Sequence, residues 1–171
     1  MSDFTIMVVD DDRLIVQSLV DMLETQNYNA VPFFSAGSAI RELEKSTYFY
    51  DVILTDINMP EVDGYTFINK VRQNISEEIP LLVLTGYGSI DGAVRAIKEG
   101  ADAYFEKDRD PELLLFEIKR ITEQIKIKRK LETLQKSGGG KSQYLFNSKN
   151  AATRRTYEMA KKKKKKDVNV L

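Results

Sequence analysis

The sequence predicts an α/β fold of the doubly wound type, in which a parallel sheet of five strands carries helices on both faces. Short apolar runs rich in β-branched residues alternate five times with segments of helical period, as in repeated βα units joined by right-handed crossovers. The runs are almost continuously apolar, which is typical of strands buried on both faces. The predicted strands are residues 5–10, 29–34, 51–56, 79–85 and 101–106.

Local signals support the individual elements. Ile15, Leu19 and Leu23 share one face of a predicted first helix. Pro32 marks the second run as an edge strand, because proline cannot donate a hydrogen bond to a neighbouring strand. Gly100 is expected to end the fourth helix, and Pro111 suits the first turn of the fifth. The predicted helices are residues 14–25, about 38–45 with a serine cap, 65–73, 90–98 and a fifth from 111.

The fifth helix is predicted to continue beyond the end of this fold. Its apolar residues form one stripe and then a second, shifted one: Leu114, Ile118, Ile121 and Ile125, followed by Ile127, Leu131 and Leu134. The shift excludes a clean heptad seam and favours a packing helix that continues as a partner-contacting one. We therefore expect a domain over residues 1–124, a helical linker with a flexible break over 125–142, and a separate segment over 143–171.

Composition narrows the classes of function. Apolar residues make up 42% and charged residues 30%, with a formal net charge of zero, which is typical of a soluble globular protein. The chain has no Cys and no His, so disulfides, thiolate or imidazole metal sites and imidazole bases are excluded. No apolar stretch is long enough to cross a bilayer and no secretory signal is recognisable. We expect a cytoplasmic protein with no membrane partner.

Polar residues follow four of the predicted strands at their carboxyl ends. They are Asp10, Asp11 and Asp12 after the first, Asp56 after the third, Thr85 after the fourth and Lys107 after the fifth. In a doubly wound sheet these ends share one edge. Clustered carboxylates repel one another unless a cation joins them, and their oxygens suit Mg²⁺. A carboxylate beside Mg²⁺ can act as a nucleophile towards phosphorus, with Thr85 and Lys107 holding phosphoryl oxygens.

Simpler roles compete for each residue taken alone. Asp56 is equally compatible with a turn former, although it stands alone at the tip of the central strand, where a nucleophile has room. Asp12 directly precedes a helix, so we expect an N-cap rather than a metal ligand. Thr85 also fits a loop residue, Lys107 a solvated one, and Tyr104 a plain aromatic on an edge strand. Their joint placement at strand ends favours the phosphoryl site.

Four segments resemble, in order, the motifs of response-regulator receiver domains, the phosphate-accepting half of two-component signalling. They are MVVDDD, DVILTDINMPEVDG, LLVLTGYGS and ADAYFEK, and the resemblance spans residues 4 to about 124. It implies the flavodoxin-like, CheY-like (βα)5 fold with an extended C-terminal helix. It also implies that Asp56 is the phosphorylated aspartate and a metal ligand, that Asp10 and Asp11 serve Mg²⁺, and that Asn58 supplies a backbone carbonyl ligand.

The same resemblance implies a switch. Thr85 is similar to the switch hydroxyl, Tyr104 to the switch aromatic and Lys107 to the lysine of the family, although Asp108 stands where the family usually has proline. The family implies phosphoryl transfer from a sensor histidine kinase to a phosphoacceptor that is not an enzyme in the usual sense. It further implies a homodimer through the face formed by the fourth helix, the last strand and the fifth helix.

The segment after the linker resembles the opening of the ATPase domain of sigma-54-dependent, NtrC-like transcriptional activators. The chain ends at Leu171 before any phosphate loop, and GGGKS follows a helix and lacks Walker A spacing. We therefore expect a truncated regulator that cannot hydrolyse ATP and reaches DNA only indirectly, through an output domain. The lysine run 161–166 fits a solvated tail better than a nucleic-acid contact.

Two other functions remain open at this level. One is a stand-alone receiver or phosphorelay module that acts through protein contacts. The other is a magnesium-dependent aspartyl phosphohydrolase, similar to haloacid-dehalogenase-like enzymes. Those enzymes carry a second Asp two residues after the nucleophile, whereas Asn58 stands there in this chain.

Overall fold

Five parallel strands form the centre of the computed structural model, which describes residues 4–45 and 49–137. The strands are β1 (Thr5–Val9), β2 (Asn29–Phe33), β3 (Val52–Thr55), β4 (Leu81–Thr85) and β5 (Ala103–Glu106). Their order in the sheet is β2-β1-β3-β4-β5. The predicted doubly wound fold is therefore confirmed. Pro32 lies on β2, a strand at the edge of the sheet. An edge strand tolerates proline, because the N–H that proline lacks is not needed on the open side.

The helices follow the predicted order. They are α1 (Arg13–Thr25), α2 (Ala36–Lys45), α3 (Gly64–Lys70), α4 (Ile90–Glu99) and α5 (Pro111–Ser137). Gly100 ends α4 in the left-handed conformation, with φ of 111°. Helix α2 begins two residues earlier than predicted, because the capping hydroxyl is that of Ser35, which accepts from the Ser38 N–H at 3.2 Å.

The end of α3 also differs from the prediction. The α-helix is predicted to end at residue 73, but it ends at Lys70 and is followed by a wider, π-helical turn over Val71–Ile75. This turn is closed by a hydrogen bond of 2.8 Å from the Ser76 N–H to the Val71 carbonyl. The Arg72 guanidinium donates to the carbonyl oxygens of Ser76 and Ile79 at 3.2 and 2.8 Å. These bonds satisfy carbonyl groups of the loop that follows the helical turn.

Two apolar cores cover the two faces of the sheet. Along β1, Met7 and Val9 belong to the core under α2, α3 and α4, whereas Ile6 and Val8 belong to the core under α1 and α5. Successive side chains of a strand point to opposite faces. The unbroken apolar run of β1 therefore results from burial on both sides.

Helix α5 runs 27 residues, beyond the predicted limit of the domain at 124. Its first stripe, with Leu114 and Ile118, is buried, whereas the later Leu131 is exposed. Arg129 pairs with the carboxylate of Asp51 and lies 5.5 Å from the ring centroid of Phe4. The extension of α5 thus contacts the amino-terminal edge of the sheet, where β1 and β3 begin, through the charged side chain of Arg129. Among the described helices, none is long and apolar enough to cross a membrane.

The rest of the predicted organisation concerns residues outside those that the structure describes. These are residues 138–142 of the flexible break predicted at 137–142, the segment 143–171 and its lysine run at 161–166. Ser137, the first residue of the predicted break, is the last residue of α5. The proposed domain limits therefore stay a prediction.

Candidate phosphoryl-acceptor site

Three charged side chains meet at the carboxyl edge of the sheet. The Lys107 ammonium lies 2.5 Å from Asp10 Oδ2 and 3.3 Å from Asp56 Oδ2. Asp10 is 2% exposed and Asp56 6% exposed, so both carboxylates are largely withdrawn from water. Asp11 is exposed, and one oxygen of each of the three aspartates lies within 4.8 Å of the others. The structure thus brings together four of the predicted site residues.

The backbone orients the two buried carboxylates. Asp10 Oδ1 accepts from the Asp12 N–H at 3.0 Å, and Asp56 Oδ1 accepts from the Ile57 N–H at 2.7 Å. The Oδ2 atom of each residue therefore faces Lys107. Asp56 itself is held level with β1, because its N–H donates to the Val9 carbonyl at 2.9 Å.

Asp12 has a different role from its two neighbours. Its Oδ1 accepts from the N–H groups of Leu14 and Ile15 at 2.9 and 3.2 Å, which caps α1. The prediction that Asp12 is the N-cap of α1 is confirmed.

Thr85 lies at the end of β4 and is buried. Its hydroxyl oxygen accepts from the Asn58 side-chain amide at 3.5 Å and from the Tyr87 N–H at 3.4 Å. Both contacts are long, so little free energy opposes a rotation of the hydroxyl. Asn58 is exposed and follows Asp56 by two residues in the sequence. Its role as a carbonyl ligand stays a prediction.

Tyr104 is half-buried and packs against the core under α2, α3 and α4, so it is not a plain surface aromatic. Burial raises the pKa of its hydroxyl, and the negative charges of Glu106 and Asp56 act in the same direction. The hydroxyl therefore stays protonated well above neutral pH. Its part in a switch stays a prediction.

Lys107 is held without the proline that usually follows it in the family. Its backbone N–H donates to the Thr85 carbonyl at 2.9 Å, and the next turn is closed by the Arg109 N–H on the Glu106 carbonyl at 3.2 Å. Backbone hydrogen bonds thus aim the side chain into the site although Asp108 stands at the family's proline position.

Burial and charge act in opposite directions on the ionised groups of the site. Burial raises the pKa of Asp10, and the hydrogen bond and charge of Lys107 offset this only in part. Burial alone would lower the pKa of Lys107, but the hydrogen bond of Asp10 and the charges of Asp10 and Asp56 outweigh it and raise the pKa. The Lys107 ammonium is therefore charged at neutral pH, and its single positive charge faces two carboxylates.

Gly64 is a site residue that sequence reasoning missed. A methyl group there would lie 2.2 Å from the Asp56 carbonyl oxygen and 2.6 Å from the Ile57 Cα atom. The Gly64 N–H donates to the Ile57 carbonyl at 2.8 Å and closes the turn after β3. The Asp-Gly pair in the sequence predicts a turn, but it does not predict that the turn packs against the acceptor.

Comparison with known proteins decides the family. The family model of the response regulator receiver domain matches residues 6–119 of this chain, and this range includes every site residue described above. The chain belongs to the response regulator receiver family. The receiver domain has the CheY-like fold implied by its motifs.

Two curated relatives are similar to the receiver domain. Response regulator protein FleR of Pseudomonas aeruginosa is 31% identical over 110 residues, which are 64% of this chain and 23% of FleR. Cell cycle response regulator CtrA of Brucella ovis is 32% identical over 121 residues, 71% of this chain and 51% of CtrA. The chain thus spans about a quarter of one relative and half of the other.

Solved receiver structures share the fold. Chemotaxis protein CheY4 of Vibrio cholerae is 28% identical with a TM-score of 0.63, covering 69% of this chain and 98% of that one. A CheY-like receiver domain protein from Methanospirillum hungatei is 31% identical with a TM-score of 0.64, covering 72% of this chain and 97% of that protein. The beryllofluoride-activated DrrB receiver domain is 25% identical with a TM-score of 0.63, covering 70% and 97%.

The acidic group of the receiver domain fits Mg²⁺. Its donors are carboxylate oxygens, which this hard ion prefers, and the exposed Asp11 opens the group to solvent, so the ion can keep several waters. One ammonium also faces two buried carboxylates, which leaves negative charge for a cation to neutralise. Asp10, Asp11 and Asp56 would hold the ion.

We expect Asp10→Asn to stabilise the metal-free receiver domain. A raised pKa means that folding favours the protonated carboxyl group, so its contribution to stability is present at low pH and lost as pH rises through the folded-state pKa. At pH 7 ionised Asp10 therefore costs free energy, and its neutral analogue should raise the free energy of unfolding by about 1 kcal/mol. Urea denaturation in EDTA measures this.

The same variant should lose most of the stabilisation that Mg²⁺ gives the wild type. Asp108→Asn is the matched control, because it removes an exposed carboxylate beside Lys107 and should change neither quantity. A destabilised Asp10→Asn protein that still responds fully to Mg²⁺ would contradict the assignment.

Proposed function

We propose that the protein is a phosphorylation-dependent response regulator whose Asp56 accepts a phosphoryl group from a sensor histidine kinase in the cytoplasm. The observation that carries the proposal is the position of the Lys107 ammonium between the buried carboxylates of Asp10 and Asp56 at the sheet edge. A buried cation beside a nucleophilic carboxylate stabilises the charge of a transferring phosphoryl group.

In the proposed reaction, Asp56 Oδ2 attacks phosphorus, and the bond between phosphorus and the imidazole nitrogen of the donor breaks. Its electron pair stays on that nitrogen, and the product is an acyl phosphate on Asp56. The Ile57 N–H holds the other carboxylate oxygen and so orients the attacking one. Lys107, 3.3 Å from Oδ2, pairs with a phosphoryl oxygen after transfer. When bound, Mg²⁺ would neutralise phosphoryl charge, with Asn58 contributing its carbonyl oxygen.

The proposed output begins at Thr85. A phosphoryl dianion on Asp56 attracts the Thr85 hydroxyl, which its long contacts to Asn58 and Tyr87 hold weakly. Movement of Thr85 leaves space into which Tyr104 can turn. The face formed by α4, β5 and α5 then changes shape. That face exposes Ile90, Val94, Ile97, Leu113 and Phe116, and we propose that it forms a homodimer.

We further propose that the dimer controls transcription through a sigma-54-type output domain. Support comes from the resemblance of residues 144–171 to the opening of such a domain and from the similarity to FleR, a longer response regulator. The helical extension of α5 to Ser137 offers a physical connection to that part of the chain.

Acetyl phosphate tests the proposal on the wild-type chain. We expect a Mg²⁺-dependent mass increase of about 80 Da, one phosphoryl group, that hydroxylamine removes because the linkage is an acyl phosphate. EDTA should prevent it. Failure to form a Mg²⁺-dependent adduct would contradict the proposal, and rapid turnover of small phosphate esters would favour the phosphohydrolase instead.

A further inference from the structure

Helix α4 is attached to the domain by little apolar burial. Ala96 is the one residue of this fully described helix that is buried, whereas α2, of the same length, buries four. Three apolar side chains of α4, those of Ile90, Val94 and Ile97, are exposed instead. Displacing α4 therefore removes little apolar area from contact, and polar contacts decide where the helix lies.

The polar contacts that α4 and Gly100 make with α3 and the π-helical turn after it are strongest at the C-terminal end of α4, here called its lower end. Arg72 Nε donates to the Gly100 carbonyl at 2.8 Å, and the Asn69 side-chain amide donates to Glu99 at 2.9 Å. At the upper end, the Tyr65 hydroxyl donates to the Gly92 carbonyl at the longer distance of 3.4 Å. The lower end is therefore anchored, and the first turn of α4 is the part that can swing.

Three residues lie where the start of α3 meets α4, and we name them the α3–α4 clamp: Asp63, Tyr65 and Arg95. The Arg95 guanidinium lies 3.9 Å from the ring centroid of Tyr65, a cation–π contact. Asp63 caps α3 by accepting from the Thr66 N–H at 2.7 Å. Burial raises the pKa of Asp63, but the hydrogen bonds of Thr66 and the charge of Arg95 outweigh it and lower the pKa.

The clamp is adjacent to the acceptor site. Tyr65 follows Gly64, which packs against the carbonyl of Asp56. A methyl group at Gly92 would lie 3.2 Å from the Tyr65 hydroxyl and 3.3 Å from the Tyr104 hydroxyl. Two tyrosine hydroxyls therefore meet at the first turn of α4, one from the start of α3 and one from β5.

We propose that Tyr65 is a positioning residue of the switch, which holds the first turn of α4 in the unphosphorylated arrangement through its hydroxyl and its ring. Activation breaks this contact while the lower end of α4 stays anchored by Arg72. The inference rests on the proposed phosphoryl switch and adds a second point of control beside Tyr104. A contact made in one state only favours that state by its own free energy, so its removal favours the other.

Beryllofluoride with Mg²⁺, a phosphoryl analogue, tests the proposal through its binding affinity. Tyr65→Phe removes the hydroxyl alone and should raise the apparent affinity about 2- to 10-fold, the effect of one weak hydrogen bond. Tyr28→Phe is the matched control, because it removes a tyrosine hydroxyl that is bonded to Thr122 at 3.2 Å on the other face of the sheet from α4, and its affinity should equal that of the wild type. An affinity of Tyr65→Phe that is unchanged or lower would overturn the proposal.

Hydrogen exchange of the unphosphorylated protein supplies a readout that does not depend on the analogue. In Tyr65→Phe the amides of residues 92–95 should exchange about 2- to 10-fold faster, while those of α1 keep their wild-type rates. Equal acceleration throughout the domain, or none in α4, would overturn the proposal. A wild type that fails to bind beryllofluoride contradicts the proposed function, and the exchange rates of α4 then decide the role of Tyr65 separately.

Discussion

Asp56→Asn should reduce Mg²⁺-dependent labelling by acetyl phosphate to less than about 1% of the wild-type level. The amide oxygen can still accept from the Ile57 N–H, so the loop keeps its hydrogen bond. However, an amide carries no negative charge with which to attack phosphorus. Loss of labelling would therefore come from loss of the nucleophile and not from unfolding. Intact-protein mass spectrometry measures the modified fraction.

Asp51→Asn is the matched control for this substitution. Asp51 and Asp56 flank the same strand, β3, and both are buried, but Asp51 lies at the opposite edge of the sheet, where it pairs with Arg129 and accepts from the Thr5 N–H at 2.8 Å. Its variant should label like the wild type. Persistent labelling of Asp56→Asn would show that another residue accepts the phosphoryl group. Loss of labelling in Asp51→Asn would contradict the placement of the acceptor site at the carboxyl edge of the sheet.

Gly64→Ala should destabilise the domain by at least about 3 kcal/mol. The new methyl group would lie 2.2 Å from the Asp56 carbonyl oxygen and 2.6 Å from the Ile57 Cα atom. Both are backbone atoms at the end of a central strand, so they cannot rotate away as the end of a side chain can. Relief requires the turn after β3 to move, which also displaces Asp56. Urea denaturation with EDTA present gives the free energy of unfolding.

A second glycine gives the comparison that isolates this clash. Gly37 lies in α2, where a methyl group would meet only the Arg41 guanidinium, at 3.4 Å. Gly37→Ala should therefore stabilise the domain, by roughly 0.5–1 kcal/mol, because alanine is the better helix former. If the free energy of unfolding of Gly64→Ala stayed within about 1 kcal/mol of the wild-type value, the inferred close packing of Gly64 against the backbone of Asp56 would be contradicted.

The sequence was most informative where one local signal was sufficient. The run of β1 predicts a strand buried on both faces, and Met7 and Ile6 indeed enter opposite cores. Asp12 caps α1 and Gly100 ends α4 as predicted, because each acts within one turn of its own helix. The common edge of Asp10, Asp56 and Lys107 also followed, since parallel strands end on the same side.

The predictions failed or fell short where distant residues decide the conformation. The π-helical turn after α3 accompanies the bonds of Arg72 to the Ile79 and Gly100 carbonyls, and no local pattern in the sequence indicates them. The pairing of Arg129 with Asp51 likewise joins the C-terminal half of α5 to the residue before β3. The predicted roles of Asn58 and the residues beyond 137 stay predictions.

The sequence by itself determined the fold and the set of chemical groups at one edge of the sheet, because apolar periodicity and strand ends depend on short stretches of chain. The tertiary structure alone decided which carboxylate oxygens face Lys107, why position 64 must lack a side chain, and that Tyr65 of α3 contacts Arg95 of α4. These features depend on distances between separately folded elements. Such distances are set by how the side chains of the whole domain pack together.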